Sequence, residues 1–395
     1  MSHHSSDVHQ DQSVTWPREW KELNRVAWIR PGALGDLLVG LAALSETANA
    51  FPKARVTVIG PRLWLGILSP AAFPFVEKIA AVERRGHLAD VFVPQGEEWV
   101  PTGESMPVSK VLSGFDGVVN LNIDSYRYGF SALKAGVPVR VGSAPTPMAS
   151  ILYTHSSPFF GKDPLVHERD AALMVLEYAT TGLNRLFQTT AKNRRELASL
   201  IETSRLIRKW RAIGLPSVKA PDSKRAVEIT GCEAGSYLLV NPTSSRRTNT
   251  WPTEKFREFL LSSKDTLTDL GLEPIVIGAP HETQWLREIA GDEFKIVQTK
   301  SLRDLADVVA GARALLTNTS SMQFLAASMR TPTVTLMGRA RPEIWGPIGP
   351  RDRIVRGVAP PELARDIFRQ EEEAYRSIPV AKVREEVLSL LAITP

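Results

Sequence analysis

Apolar and polar positions fall into blocks whose period switches between strand-like and helix-like. The apolar run "RVAWI" reads as a short buried strand, from Val26 to Ile29. It breaks at "RPGALGD", where Gly32 and Gly35 punctuate a tight turn, and the spacing from Leu37 to Leu44 predicts a helix over "LLVGLAALSETANAF". "ARVTVIG" predicts a second strand, with "VEKIAAV" and "DVFVP" as shorter ones. "FDGVVNLN" is a further strand, "RYGFSALKAG" a helix and "VRVGS" a strand. Strands alternating with helices imply βαβ units and a parallel sheet.

The middle, from about 164 to 210, is mostly helical. "ERDAALMVLEYATTGL" ends in Gly182, "RRELASLIETSRLIRKWRAIGL" is a second amphipathic helix, and "PSVKAPDSKRAVEI" reads as a linker. The alternation then restarts. "SYLLVNPTS", "EPIVIGAP", "KIVQT", "ALLTNTS" and "TPTVTLMG" predict strands. Between them, helices are predicted from Thr253 (as N-cap), over "HETQWLREIAG", after a cap at Ser301, and over "SMQFLAASMR". The pattern predicts an α/β protein of two Rossmann-like, doubly wound parallel-sheet domains facing a central cleft. The expected boundaries are a disordered tail over 1–24, a first domain with a helical insert over 25–215, and a second over 226–355. Helices over 356–395 are expected to pack back toward the first domain.

Composition narrows this picture modestly. The 395 residues carry 48 Lys and Arg against 43 Asp and Glu, a net charge of +5. That suits an anionic ligand. The basic residues are scattered, apart from Arg194 and Arg195, and are not interleaved with aromatics as in nucleic-acid binders. A single cysteine, Cys232, excludes an intrachain disulfide and cysteine-pair metal sites, and fits a cytoplasmic protein. The polar start, "MSHHSSDVHQDQS", has no signal core, and its His3, His4 and His9 read as tail rather than as a metal site. No apolar run approaches the ~20 residues of a membrane span.

The candidate chemistry sits at strand-to-helix turns. Such turns present backbone N–H groups to anions. The first, however, carries Asp36, a carboxylate where a phosphate would be expected, which argues against a simple phosphate cradle there. Asp36 reads either as a general base or as a carboxylate capping the helix.

The order of motifs resembles the bacterial heptosyltransferase family, glycosyltransferase family 9. Four segments carry the likeness: "IRPGALGDLLVGLAAL", "HERDAALMVL", "NPTSSRRTNTWPTEKF", and "IGAPHETQ" through "NTSSMQFLAASMRTPTVTLMGRARPEIWGP". The resemblance implies a GT-B fold and inverting, metal-independent transfer of a sugar from a nucleoside diphosphate to an acceptor hydroxyl. The nucleotide sugar, ADP-heptose or a relative, is then a substrate, and no cofactor is expected. Asp36 matches the catalytic base, with the acceptor near Arg30, Gly35 and Arg127 of the first domain. The donor is expected at Thr243, Ser244, Ser245, Arg247, Asn249, Gly278, Glu282, Lys300 and the turn Asn318, Thr319, Ser320, Ser321 and Gln323. Within that set, Glu282 matches the acid that grips the ribose hydroxyls, or else complements the dipole of the helix it opens. The hydroxyls of Thr319, Ser320 and Ser321 would hold the diphosphate, or simply cap a helix. His167 and Trp251-Pro252 read as structural.

Three departures bear on the donor. Where the family usually has Asp-(Ser/Thr)-Gly-x-x-His, this chain has Asn318-Thr319-Ser320-Ser321-Met322-Gln323. Asn249 stands where the family often has a lysine, which leaves Arg246 or Arg247 to replace the charge. Lys300 occupies the position expected to meet the nucleobase. From Phe92 to Asp124 the chain is acidic or neutral apart from Lys110, which favours a less anionic acceptor, such as a small natural product or a protein, over a lipopolysaccharide. Two other classes compete. One is a non-catalytic sugar-nucleotide binder. The other is a nicotinamide-dependent oxidoreductase, disfavoured because the first turn lacks the third glycine of G-x-G-x-x-G and no acid follows "VTVIG".

Overall fold

A computed structural model describes residues 14–83, 88–121, 126–143, 151–157, 166–179, 198–244, 246–363 and 366–392. Two sheets form, one in each half of the chain. The first has eight strands in the order β5-β4-β3-β2-β1-β6-β7-β8. Its parallel strands are β1 (Arg25–Ile29), β2 (Arg55–Gly60), β3 (Val76–Val82), β6 (Gly117–Asn120), β7 (Val139–Ser143) and β8 (His155–Ser157). β4 (Leu88–Gln95) and β5 (Glu98–Pro107) add an antiparallel meander at one edge. The second sheet is wholly parallel, in the order β11-β10-β9-β12-β13-β14. Its strands are β9 (Tyr237–Asn241), β10 (Glu273–Gly278), β11 (Lys295–Gln298), β12 (Ala314–Asn318), β13 (Thr333–Met337) and β14 (Arg353–Arg356).

The central strands are buried on both faces, which is why they read as continuous apolar runs: Tyr237–Asn241 is buried throughout, as is Ala314–Asn318. The long helices are α1 (Leu34–Ala50), α2 (Arg127–Lys134), α3 (Glu168–Ala179), α4 (Arg205–Ile213) and α5 (Ser223–Thr230) in the first part. They are followed by α6 (Thr253–Asp269), α7 (Thr283–Ala290), α8 (Leu302–Gly311), α9 (Ser321–Ser328), α10 (Ile367–Ser377) and α11 (Val380–Leu391). In each sheet the strand order reverses once, between β1 and β6 and between β9 and β12. Loops leaving neighbouring strands at such a point diverge and open a crevice beyond the strands' carboxyl ends.

Several sequence expectations are corrected. The predicted tail 1–24 is ordered over its last part: Trp20 is fully buried, stacked between Trp16 and Phe51 with centroids at 6.0 and 4.9 Å. The three tail histidines, Gly182 and Arg194–Arg195 lie outside the described residues. The predicted long helix ahead of residue 214 breaks at Ser204, whose hydroxyl accepts from the Ile207 N–H at 3.1 Å and starts α4 anew. The predicted linker contains α5, capped by Asp222, so the second domain begins earlier than residue 226. Thr253 is not an N-cap. It is the first helical residue, and its hydroxyl accepts from Trp285 Nε1 at 3.1 Å.

The largest correction concerns the C-terminal helices. Among the described residues they pack on the second sheet rather than back toward the first domain. Tyr375, Ile378, Val383, Val387, Leu390 and Leu391 join the same core as Leu238, Phe256, Leu316 and Val334. The physical reason is coverage: α11 fills the sheet face beside α6, which would otherwise leave apolar strand residues in water. Trp251, fully buried, ties the two together through Nε1 to the Ile378 carbonyl at 3.1 Å.

Candidate active site

The two domains enclose a cavity of about 930 Å³ at the carboxyl ends of β9, β10 and β12. That size suits a nucleotide-sized ligand. Its first-domain wall is the turn Ala33, Leu34, Gly35 and Asp36. Opposite stand Thr243, Ser244, Asn249, Gly278, Glu282, Lys300, Thr319, Ser320 and Ser321. Eleven of the expected site residues therefore line the cavity. Ser245 lies outside the described residues.

Asp36 is the third residue of α1. Its Oδ2 accepts the Ala33 N–H at 2.8 Å, so the carboxylate caps the helix while also lining the cavity. Both readings of this residue are thus geometrically compatible. Gly32 is required by it: a Cβ there would lie 2.6 Å from the Asp36 Cβ and Oδ2. Gly35 faces the second domain, where its hypothetical Cβ would meet Phe324 at 3.8 Å and Ser321 Cα at 3.9 Å. The N-termini of α1 and α9 therefore approach one another across the cavity. Both helix dipoles favour negative charge in the space between.

On the second-domain side, Ser320 caps α9, its Oγ accepting the Met322 N–H at 3.3 Å, and Thr319 Oγ1 donates to the Leu336 carbonyl at 3.1 Å. Glu282 Oε2 accepts the Ala279 N–H at 2.7 Å, which sets its carboxylate at the end of β10 beside Gly278. Lys300 follows β11 and is exposed. Among the described residues lining the cavity, Lys300 and His281 are the only basic side chains.

Five expected site residues do not face the cavity. Arg30 is 6% exposed and spends its guanidinium internally: Nε donates to the Asp36 carbonyl at 2.6 Å, and Nη2 lies 3.7 Å from Glu168 Oε2. Arg127 opens α2 and places its guanidinium 5.5 Å from the Tyr128 ring centroid, away from the lining set. Arg247 stacks on Trp285 at 4.8 Å, and Arg246 on Phe368 at 5.8 Å, so neither supplies the charge missing at Asn249. Asn318 is fully buried; its Oδ1 accepts the Trp251 N–H at 2.9 Å and its Nδ2 donates to the Pro242 carbonyl at 2.8 Å. Gln323, also fully buried, donates from Nε2 to the Trp345 carbonyl at 2.6 Å. The two amides clamp loops that form the wall. Sequence reasoning missed Phe324 and Leu305 as wall residues, because their helical spacing reads as core.

Among the described residues no cluster of three or more His, Cys, Asp or Glu could hold a metal ion, and no helix is long and apolar enough to cross a membrane.

The sequence profile of glycosyltransferase family 9 (heptosyltransferase) matches residues 190–373. Lipopolysaccharide heptosyltransferase 1 of Escherichia coli K12 is 29% identical over 128 residues, 31% of this chain. The chain aligns with 39% of the length of that relative. Among solved structures, a glycosyl transferase family 9 protein from Veillonella parvula has a TM-score of 0.63 at 16% identity, covering 94% of this chain and 98% of that one. The E. coli ADP-heptose lipopolysaccharide heptosyltransferase II gives 0.63 at 16% identity, over 93% and 98% of the two chains. An E. coli heptosyltransferase solved with ADP gives 0.60 at 18%, over 93% and 99%. At these identities the structural likeness speaks for the fold. With the fold shared by these solved structures, the match over residues 190–373 makes the second half of the chain similar to glycosyltransferase family 9, within a two-domain α/β architecture of the GT-B type.

Proposed function

We propose that this protein is an inverting glycosyltransferase that moves heptose from ADP-heptose to an acceptor hydroxyl, with Asp36 as general base. One observation carries the reading: the Asp36 carboxylate and the hydroxyl-rich N-terminus of α9 line the same cavity from opposite domains. The donor lies along the second-domain wall, with its ribose on Glu282, its base toward Lys300 and its diphosphate at Thr243, Ser244, Thr319, Ser320 and Ser321. The acceptor enters from the Asp36 side. Its oxygen attacks the anomeric carbon, its proton passes to the Asp36 carboxylate, and the bond to the diphosphate oxygen breaks. The charge arriving on the leaving diphosphate meets the N–H groups and dipole of α9 rather than a cation. A single displacement with one base on the acceptor side inverts the anomeric centre. The solved relative whose description names ADP supports an adenine nucleotide as the donor's leaving half.

The departures at 318 and 323 do not argue for a non-catalytic binder, since both side chains are wall clamps and Asp36 keeps its full turn. The test is thermal stabilisation by ADP, UDP, GDP, CDP and dTDP. A ligand at ~100 times its dissociation constant adds ~2.7 kcal/mol, a readily measured shift. ADP is expected to stabilise most. A larger shift with another nucleotide would keep the fold and overturn the donor, and no shift with any would turn the reading toward loss of donor binding.

A further inference from the structure

The start of α3 carries two adjacent side chains that reach opposite walls of the cleft. His167 reaches the second domain. Its Nδ1 accepts the Arg169 N–H at 3.1 Å, so the neutral ring holds its proton on Nε2, and that N–H donates to the Gly346 carbonyl at 3.0 Å. Burial, helped by the Arg169 charge, pushes the imidazole down to about 4, so the ring is neutral and keeps this tautomer near neutral pH. The ring also stands edge-on to Phe324, with centroids 6.1 Å apart. The neighbouring carbonyl, that of the wall residue Trp345, is held by Gln323 from within the second domain. Consecutive carbonyls of one wall segment are thus gripped from both domains.

Glu168 reaches the first domain. It pairs with Arg30, and Arg30 donates to the carbonyl of Asp36. The arginine crosses α1 where Gly40 lacks a side chain; a Cβ there would lie 2.7 Å from the Arg30 Cδ. Arg30 is nearly buried, so breaking this chain of contacts leaves a charge in a dry site rather than in water.

We propose that His167 and Glu168 are paired positioning residues that set the register between the Asp36 turn and the donor wall. His167 fixes the wall segment around Trp345, Glu168 fixes the Asp36 peptide through Arg30, and their adjacency on one helix fixes the two relative to each other. The purpose of that register rests on the transfer reading above; the contacts themselves do not.

The test uses the full-length protein with H167F, H167Q and E168Q, each first checked for a cooperative melt. H167F keeps a ring but removes the donor, while H167Q supplies an amide N–H. Hydrogen exchange of peptides covering residues 340–349 should quicken about fivefold in H167F, as expected for the loss of one buried hydrogen bond, and the ADP dissociation constant should rise by about the same factor. H167Q should restore both to within about twofold. E168Q should leave exchange over 340–349 and ADP affinity unchanged yet lower kcat about tenfold at constant donor KM, because it shifts only the base. Unchanged exchange in a folded H167F, failure of H167Q to rescue, or an E168Q defect confined to ADP binding would overturn the proposal. If the wild type binds no ADP, the transfer reading fails, and the exchange of 340–349 still decides the His167 contact.

Discussion

Asn318→Asp restores the acid that the family usually carries at this position, and it should make this protein worse. Asn318 is fully buried and uses both ends of its amide: Oδ1 accepts from Trp251 N–H at 2.9 Å and Nδ2 donates to the Pro242 carbonyl at 2.8 Å. A carboxylate keeps the first bond and cannot make the second. It sets one acceptor against another and leaves Pro242 without that donor, which costs about 1–3 kcal/mol. Burying the charge adds to this unless the group keeps its proton. A total of about 3 kcal/mol lowers the melting temperature of a domain this size by roughly 6–12 °C. The effect has a pH signature. Burial and the facing carbonyl raise the folded-state pKa of the introduced acid above its unfolded value. The protonated form can still donate to Pro242, so stability is kept below the unfolded pKa and lost as pH rises through the folded one. Melting curves at pH 5 and pH 8, read as the variant minus the wild type, measure this directly. A variant as stable as the wild type at pH 8, or one that binds ADP more tightly, would show that Asn318 is not a wall clamp.

Asp36→Asn should lower turnover by roughly 10²–10⁴ while changing stability by less than about 1 kcal/mol, since an amide oxygen can still accept the Ala33 N–H. Steady-state rates beside a melting curve check both halves. Gly32→Ala should cost roughly 10²-fold in kcat with the donor still bound, because its Cβ would displace the Asp36 side chain. Calorimetry with ADP separates that outcome from loss of the site. Acid should destabilise the wild type through His167: its folded pKa, about 4, lies below the ordinary 6.5, so this contribution is complete above 6.5 and is lost as pH falls toward 4. The pH dependence of stability in H167Q, subtracted from that of the wild type, isolates it.

Most of the architecture was legible because the strands that set it are buried on both faces and so stand out as apolar runs. β5 was not, since Glu98–Pro107 is an exposed edge strand containing Pro101, Gly103 and Glu104, and its sequence resembles a loop. The destination of the last helices was also hidden. An amphipathic helix shows that it has an apolar face but not which sheet that face covers, and the face of α11 is completed by α6. At the site, short polar residues at strand-to-helix turns, singled out by pattern together with the family resemblance, line the cavity, as Ser320 and Asp36 do. Long polar side chains were misread in direction. Arg30, Asn318 and Gln323 sit at positions expected to meet a ligand, yet each turns inward to hold a backbone carbonyl, a choice made by tertiary neighbours such as Leu121, Pro242 and Trp345. The Pro242 carbonyl also accounts for Asn318, since an amide can clamp a carbonyl that a carboxylate would repel.

A crystal structure of the protein with ADP tests the assignment of the donor wall and Asp36 most directly. The diphosphate should lie within hydrogen-bonding distance of the N-terminal N–H groups of α9 and the hydroxyls of Ser320 and Ser321. The ribose should lie on Glu282, and the Asp36 carboxylate should face the terminal phosphate across the cavity. A diphosphate seated instead on the glycine turn at residues 32–36, with Asp36 turned away from the cavity, would contradict it.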